Sequence, residues 1–257
     1  MRKTAARLGQ HFLANDYYAK MLADAVAVRP GETIVEIGPG KGALTKHLLA
    51  TGASVIAVEK DEVLAAALSV LFPAAQLSVV EGDVRDFAPP ACSYVLAANI
   101  PYYITGEIIR QFLTATHQPR AMALLIQKEV AERIVARDGK ESLLSLSVKA
   151  YGTPRIITKV GKGNFNPPPS VDSAIILIEN ISRARFEHLE ENDFFKVLRA
   201  GFASKRKILA SNLAKTYGKE PVLRAFSACD IEEKARAEDL SLDTWLALAR
   251  ALASARA

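Results

Sequence analysis

The sequence has few of the residues that bind metal ions or form disulfide frameworks. Its two cysteines, Cys92 and Cys229, lie far apart, and its four histidines form no H-x-x-x-H pattern. Neither arrangement has the spacing of a zinc site. No apolar run reaches the roughly 18 residues of a membrane-spanning helix, and the basic start of the chain has no apolar signal-peptide core. We therefore expect no metal, no membrane insertion and a cytoplasmic location.

What the sequence does contain is enough apolar content for a substantial core and an excess of positive charge. A chain of 257 residues with 50% hydrophobic content is long enough for one large domain and a small one. The net charge is +5, which solubility alone would explain. Some of the basic residues cluster, however, most clearly at Lys205, Arg206 and Lys207. Such clusters favour a polyanionic partner, such as a nucleic acid.

The segment TIVEIGPGKG, which begins at Thr33, predicts a buried strand followed by a glycine-rich turn. Its glycines Gly38, Gly40 and Gly42 fit neither the dinucleotide fingerprint G-x-G-x-x-G nor the G-K-S/T ending of a phosphate-binding loop. The pattern E-x-G-x-G-x-G at a strand-to-helix switch resembles motif I of the S-adenosylmethionine-dependent methyltransferases. A plain strand-to-helix connection is the alternative.

Strands and helices are predicted to alternate through the first half of the chain. The predicted strands cover residues 33–37, 54–58, 76–80, 94–98 and 121–126. This alternation indicates an α/β fold whose parallel sheet is covered by helices on both faces. Ligands of such sheets bind at the carboxyl ends of the strands. Gly38, Glu59, Asp83 and Asn99 all lie at these ends.

Each of these strand-end residues has a physical role if the ligand is S-adenosylmethionine. Gly38 and Gly40 would let the backbone close on the methionine part, and Glu59 would accept hydrogen bonds from the ribose hydroxyls. Asp83 would accept one from the adenine amine, with Val84 near the ring. An acidic residue in this position can equally be a helix N-cap or a solvated charge.

The tetrapeptide Asn99-Ile100-Pro101-Tyr102 fits [N/D/S]-x-P-[Y/F], the pattern of amino-directed methyltransferases. The exocyclic amine of adenine is a poor nucleophile because its lone pair is delocalised into the ring. If the Asn99 side-chain oxygen and the Ile100 carbonyl accept the two amine protons, the lone pair localises and can attack a methyl group. Pro101 would stiffen the turn, and Tyr102 would offer a stacking face.

A proline-rich loop, FNPPPSV, begins at Phe165 and lies between predicted strands 155–160 and 173–178. Three consecutive prolines cannot lie inside a paired strand, so the loop is expected to be stiff and extended. It is either a linker or a device that presents Phe165 to a flipped-out base, opposite Tyr102.

From about residue 183 the strand signals cease. A helix is predicted near 193–198, another continues over 202–213 with the basic run, and Ser241 is expected to cap a last helix. We therefore predict a catalytic domain over 1–182 that binds S-adenosylmethionine, and a helical RNA-binding domain over 183–257.

Taken together, these stretches resemble the ribosomal RNA adenine dimethyltransferase family, and within it the small-subunit members. The matching segments run in family order over nearly the whole chain: GQHFL, EIGPGKG, VEKD, EGDV, NIPYYI, LLIQKEVAERI, FNPPPSVDSA and FASKRKIL. The resemblance implies a cofactor site formed by His11, Leu13, Gly38, Glu59, Asp83 and Asn99.

The same resemblance implies that two methyl groups are transferred to each of two adjacent adenosines in the 3′-terminal hairpin of small-subunit ribosomal RNA. The partner would be the assembling small ribosomal subunit and the protein a monomer. The family usually has Asn where this chain has His11, and residues 140–145 lack the expected Tyr-Gly pair.

Three alternatives differ from this hypothesis in substrate or in class. One is a large-subunit adenine methyltransferase, against which the FNPPPSVDS loop and the FASKRK segment argue. Another is an assembly factor that acts mainly by binding an immature subunit. The third is a small-molecule methyltransferase, which would leave the basic clusters unexplained.

Overall fold

The computed structural model of the chain describes residues 11–72 and 75–254. These residues form two compact units. The first unit contains the described residues through Glu132 together with Gly152–Ile181, and the second contains Arg133–Tyr151 and the described residues from Ser182 onwards. Residues 133–151 therefore group with the helical second unit, although they lie within the predicted first domain, 1–182.

The strands are β1 (Phe12–Leu13), β2 (Thr33–Ile37), β3 (Ser54–Glu59), β4 (Leu77–Glu81), β5 (Tyr94–Asn99), β6 (Met122–Gln127), β7 (Thr153–Val160), β8 (Phe165–Asn166) and β9 (Ser173–Glu179). The helices are α1 (Asp16–Ala25), α2 (Thr45–Leu49), α3 (Glu62–Leu71), α4 (Thr105–Thr114), α5 (Lys128–Val135), α6 (Leu143–Lys149), α7 (Glu191–Gly201), α8 (Leu209–Tyr217), α9 (Lys219–Ala228) and α10 (Leu242–Ser254).

The first unit is built on a seven-stranded sheet in the order β4-β3-β2-β5-β6-β9-β7. The five strands from β4 to β6 are parallel, as predicted, and their central members are buried apolar runs. No direction was predicted for the last two strands. Strand β9 is antiparallel to both β6 and β7, so β7 runs in the same direction as β6. The link from β7 to β9 contains three prolines and no α-helix, so it provides no helical crossover for a parallel neighbour.

A second, two-stranded pairing joins the described start of the chain to the proline-rich segment. Strand β1 is antiparallel to β8, with Leu13 opposite Phe165 and Phe12 opposite Asn166. The side chains of Leu13 and Phe165 are buried in the apolar core of this unit. No pattern in the sequence predicts this pairing.

The second unit is helical, with aromatic side chains at its core. Trp245 is fully buried and stacks on Phe202 with ring centroids 5.5 Å apart. A Cβ on Gly201 would lie 2.3 Å from the Trp245 ring, so only glycine lets α7 approach α10 this closely. The Ser241 hydroxyl accepts a hydrogen bond from the Thr244 amide, which confirms the predicted cap of α10.

The prediction of a helix through the basic run was wrong, because Lys205, Arg206 and Lys207 lie in a turn between α7 and α8. The buried Asn212 side chain closes this turn by donating to the carbonyl oxygens of Gly201 at 2.7 Å and Ser204 at 3.0 Å.

None of the described helices combines the length and apolar content needed to cross a bilayer.

Candidate active site at the carboxyl edge of the sheet

The carboxyl ends of the parallel strands border a cleft in the first unit. It consists of three adjoining cavities that share Gly38. Five of the segments named above contribute residues to it, as does the first residue after Phe165. The lining residues include His11, Phe12, Leu13, Glu36, Gly38, Pro39, Gly40, Lys41, Glu59, Lys60, Asp83, Val84, Arg85, Asn99, Ile100, Pro101, Tyr102, Tyr103 and Asn166. The cleft therefore lies where ligands bind to open parallel sheets.

The glycine-rich turn forms the floor of the cleft. Gly38 has a φ of +64°, and a Cβ placed on it would meet nothing within 4 Å, so its backbone faces open space. Gly40 has a φ of +57°, and its amide donates to the Glu59 carboxylate at 3.0 Å. A Cβ on Gly40 would lie 2.8 Å from the Phe12 ring. Gly38 thus leaves room for a ligand, and Gly40 leaves room for Phe12.

Glu36 precedes this turn and is completely buried. Burial raises the pKa of its carboxyl to about 8, despite a hydrogen bond from the Thr45 hydroxyl at 2.7 Å and with a smaller contribution from the Glu59 charge. Glu36 therefore carries a proton at neutral pH. The sequence motif E-x-G-x-G-x-G contained this residue but did not indicate its protonation state.

Glu59 ends β3 with its carboxylate already oriented. One oxygen accepts from the Gly40 amide and the other from the Asp61 amide at 2.9 Å. Each carboxylate oxygen has two lone pairs, so both can accept a further hydrogen bond from the cleft. A carboxylate that is held in place and can accept two more hydrogen bonds fits the predicted role of binding the two hydroxyls of a ribose.

Asp83 is held differently, because two cations contact it. Arg85 binds both of its oxygens, at 2.9 and 2.6 Å, and Lys60 approaches one of them at 2.8 Å. The Arg85 contact, followed by Lys60, holds the pKa of this carboxyl well below its usual range. Val84 is buried beside it. Asp83 is thus an ionised acceptor next to an apolar surface, as an adenine ring requires, but a ligand amine must share it with these cations.

Asn99 ends β5, and its amide has a defined orientation. Its Nδ2 lies 3.1 Å from the His11 carbonyl oxygen, which can only accept a hydrogen bond. The Asn99 Oδ1 therefore faces away from His11 as an acceptor, and within the described part of the chain it has no hydrogen-bond donor. The Ile100 carbonyl likewise accepts no hydrogen bond from a described residue, whereas the Pro101 carbonyl accepts from Ile104 at 3.2 Å.

Tyr102 lies in a short 3₁₀ turn directly after Pro101 and is half-buried. Its ring stacks on that of His11, with centroids 5.8 Å apart and an angle of 28° between the planes. Its hydroxyl is 2.6 Å from the hydroxyl of Ser173. His11 is in turn held by the Pro167 carbonyl, 2.9 Å from its Nδ1. His11 thus contacts the predicted base-binding residues through its main chain and its ring.

Phe165 does not occupy the position that the stacking hypothesis requires. Its side chain is only 4% exposed and belongs to the apolar core, because its pairing with Leu13 turns it inward. The neighbouring Asn166 lines the cleft instead. The basic residues Lys205, Arg206 and Lys207 are exposed and belong to the second unit.

Three contacts of the cleft could not be predicted from the sequence motifs. Ser173 was part of a matching segment, but nothing in the pattern paired it with Tyr102. Phe12 lies under the Lys41 ammonium, which is 5.0 Å from its ring centroid. The contacts of Lys60 and Arg85 with Asp83 were also not predicted, although Arg85 is only two residues from Asp83 in the sequence.

The residues present fit the expected cofactor. An open glycine turn, a fixed carboxylate at Glu59 and an ionised carboxylate at Asp83 beside Val84 match the methionine, ribose and adenine parts of S-adenosylmethionine in that order. Among the described residues no group of three or more His, Cys, Asp or Glu side chains could hold a metal ion.

Comparison with known proteins points in the same direction. The family described as "Ribosomal RNA adenine dimethylase" matches residues 1–254. "Ribosomal RNA small subunit methyltransferase A" of Dehalococcoides mccartyi is 41% identical over 246 residues, covering 93% of this chain and 84% of the relative. The protein of the same name from Thermosynechococcus vestitus is 36% identical, with 98% of each chain covered.

Solved structures share the fold. A dimethyladenosine transferase from Plasmodium falciparum has a TM-score of 0.82 at 25% identity, covering 93% of this chain and 96% of the other. The 23S rRNA methyltransferase ErmE has a TM-score of 0.76 at 24% identity, covering 94% and 99%, and this likeness concerns the fold alone. Because the family match and the sequence relatives span nearly the whole chain, this protein belongs to the ribosomal RNA adenine dimethylase family.

Proposed function

We propose that this enzyme transfers two methyl groups to the exocyclic amine of each of two adjacent adenosines in the 3′-terminal hairpin of small-subunit ribosomal RNA. The methyl donor is S-adenosylmethionine, which when bound supplies an electrophilic methyl group on a sulfonium. The proposal includes a monomer that acts in the cytoplasm on an assembling small subunit. The names of the relatives support the choice of subunit.

The orientation of the Asn99 amide is the observation that carries the proposal. Its Nδ2 is engaged by the His11 carbonyl, so its Oδ1 is available to accept a proton of the adenine amine. The Ile100 carbonyl follows in the chain and would accept the second proton. With both protons engaged, the nitrogen lone pair is drawn out of conjugation and directed towards the methyl group. No protein base is needed before transfer, because the amine loses its proton after the new N–C bond forms.

The remaining residues hold the reactants. Gly38, Gly40, Glu59 and Asp83 with Val84 would hold the cofactor, and Leu13 and His11 would close the cleft beside it. Tyr102 would stack on the target base, which must leave its own stack to reach the cleft. The same site would accept the monomethylated amine, because an amine with one remaining proton still donates to Asn99.

Lys205, Arg206 and Lys207 would contact the phosphate backbone of the RNA. All three are exposed, and their side chains form no ion pair with any residue in the described part of the chain. Basic groups of this kind add affinity and register without reading sequence.

Transfer of labelled methyl groups from S-adenosylmethionine to undermethylated small subunits tests the proposal. Large subunits and free adenosine serve as alternative substrates, and the product is identified by digestion to nucleosides. We expect dimethyladenosine in small-subunit RNA only. Asn99→Ala should lower kcat about 100-fold, the usual effect of removing one group that aligns a transition state, while the affinity for RNA changes little.

Asn192→Ala is the matched control, since it removes an exposed amide from α7 and should behave as wild type. Label in large-subunit RNA would refute the choice of subunit. If Asn99→Ala lost RNA affinity as much as it lost rate, Asn99 would be a binding residue and not an aligning one.

A further inference from the structure

Ser173 has no role in the proposed chemistry, yet its hydroxyl contacts the ring expected to hold the base. Its side chain is completely buried, and its Oγ lies 2.6 Å from the Tyr102 Oη. The two residues are 71 positions apart in the sequence. A buried hydroxyl pair this far apart in the chain fixes the relative position of two separate elements.

The two elements differ in how firmly they are held. Ser173 is the first residue of β9 and is paired on both sides, with Gln127 of β6 and with Val160 of β7. Tyr102 lies in a three-residue 3₁₀ turn whose preceding cap has no side-chain hydrogen bond. The sheet therefore supplies a rigid anchor, and the turn supplies the side chain that needs one.

Antiparallel β9 explains why this anchor reaches the cleft. The parallel strands present their last residues at this edge, but β9 runs the opposite way and presents its first residue there. Ser173 consequently lies opposite Gln127, the last residue of β6.

Resting on the proposed function, we propose that Ser173 is a positioning residue that fixes the Tyr102 ring for stacking on the target adenine. With the hydroxyl held by Ser173 and one side of the ring against His11, the ring has a single orientation and offers its remaining face to a base. Stacking on a ring that is already ordered costs less conformational entropy than stacking on a mobile one. The effect is therefore on RNA binding and transfer, not on the cofactor.

A double-mutant cycle with Ser173→Ala and Tyr102→Phe tests this role. Each single variant should lower kcat/KM for undermethylated small subunits about tenfold, the size expected when a buried hydrogen bond loses one partner. The double variant should be no worse than either single variant, because the two hydroxyls act only through each other. The dissociation constant for S-adenosylmethionine, measured without RNA, should stay unchanged.

Ser93→Ala is the matched control. Its hydroxyl donates to Glu32 at 3.2 Å just before β5, at the opposite end of the strand that leads to Asn99. Ser93→Ala removes a serine hydrogen bond from the same unit as Ser173→Ala does, and this control variant should keep the wild-type kcat/KM. A wild-type kcat/KM for Ser173→Ala, or losses that multiply in the double variant, would overturn the proposal.

A second readout needs no RNA and so separates this inference from the proposed function. The rate of tyrosine nitration at Tyr102, followed by peptide mass spectrometry, is compared with that at Tyr103, which is 67% exposed. Ser173→Ala should raise the rate at Tyr102 and leave Tyr103 unchanged. If the wild type methylates no RNA but Ser173→Ala raises the nitration rate at Tyr102, the proposed function fails and the role of Ser173 in holding Tyr102 stands. Equal nitration rates at Tyr102 in the wild type and in Ser173→Ala refute that role.

Discussion

Two carboxyl groups four residues apart, Glu32 and Glu36, have pKa values displaced in opposite directions. Arg120 binds both oxygens of Glu32, at 2.6 and 2.8 Å, and this contact lowers the pKa of Glu32 to about 2. Glu36 has no cation partner among the described residues, and its burial raises its pKa to about 8. The difference between them is therefore a difference in partners, since both side chains are removed from water.

This contrast predicts opposite effects on the pH dependence of folding stability. The unfolded chain releases the Glu36 proton near pH 4.5 and the folded chain near 8, so Glu36 should make the free energy of unfolding fall as pH rises between these values. Glu36→Gln should remove that decline. Urea unfolding from pH 5 to 8.5 measures it, and parallel curves for wild type and variant would contradict the assignment.

Glu32, which directly precedes β2, should affect the pH dependence of the free energy of unfolding in the opposite direction. Its stabilising contribution is present above pH 4.5 and lost as pH falls towards 2, because the folded carboxyl releases its proton more readily than the unfolded one. Glu32→Gln should therefore flatten the acid limb of the same curve and leave the limb above pH 5 unchanged in shape.

The individual residues of the cleft divide into those that a pattern can identify and those that it cannot. Gly38, Glu59, Asp83 and Asn99 were predictable because each ends a strand, and strand ends of a parallel sheet share an edge. The contact between Asn99 and His11 could not be predicted, because it joins residues 88 positions apart through a main-chain carbonyl. No residue pattern encodes such a contact.

At the scale of elements, the pair β1 and β8 decides the position of Phe165. Because the Phe165 side chain points into the core, we expect Phe165→Ala to destabilise the protein by about 3–5 kcal/mol, the usual cost of emptying a buried aromatic site. Phe165→Leu should lose less stability and keep most of the methyl-transfer activity, because it refills part of the core. Urea unfolding and kcat/KM are the measurements.

A stacking role for Phe165 would give a different pattern. Activity would then be lost in Phe165→Leu even where its stability approaches that of the wild type, since leucine has no aromatic face. Leu13→Ala is a suitable companion variant, because Leu13 is opposite Phe165 in the pair and should lose stability in the same way.

Most strands could be predicted, but their directions could not all be. Thr33–Ile37 was predicted to the residue, because its β-branched run ends at a glycine. Helix α4 was not anticipated, since it begins with Thr105 and Gly106, which are poor helix formers. The direction of β9 was not predicted, because direction depends on the connection between strands and not on their composition.

At the scale of the whole molecule, charge is expected to set the affinity for RNA. Replacing Lys205, Arg206 and Lys207 by Gln should reduce the slope of log K against log salt by about 0.7–0.9 for each phosphate that these side chains neutralise. Cofactor affinity should not change, because these residues lie in the second unit and the cleft in the first. Filter binding of undermethylated small subunits over a range of salt concentrations measures the slope.

Lys219→Gln, Arg224→Gln and Lys234→Gln, combined in one variant, remove the same charge from elsewhere in the second unit. If this control changed the salt slope as much as the first variant, the effect would belong to net charge. The basic turn would then have no specific part in binding.

The contacts of His11 also bear on when the protein becomes active during synthesis. His11 binds Asn99, 88 residues later, and Pro167, 156 residues later, and Tyr102 meets its serine partner 71 residues further on. Contacts of such sequence separation form only after long loops close. A nascent chain that ends just before residue 167 therefore contains His11, Asn99 and Tyr102 but lacks the Pro167 carbonyl that holds the His11 ring and the Ser173 hydroxyl that holds Tyr102. Competence for methyl transfer is acquired late, as a property of the finished first unit.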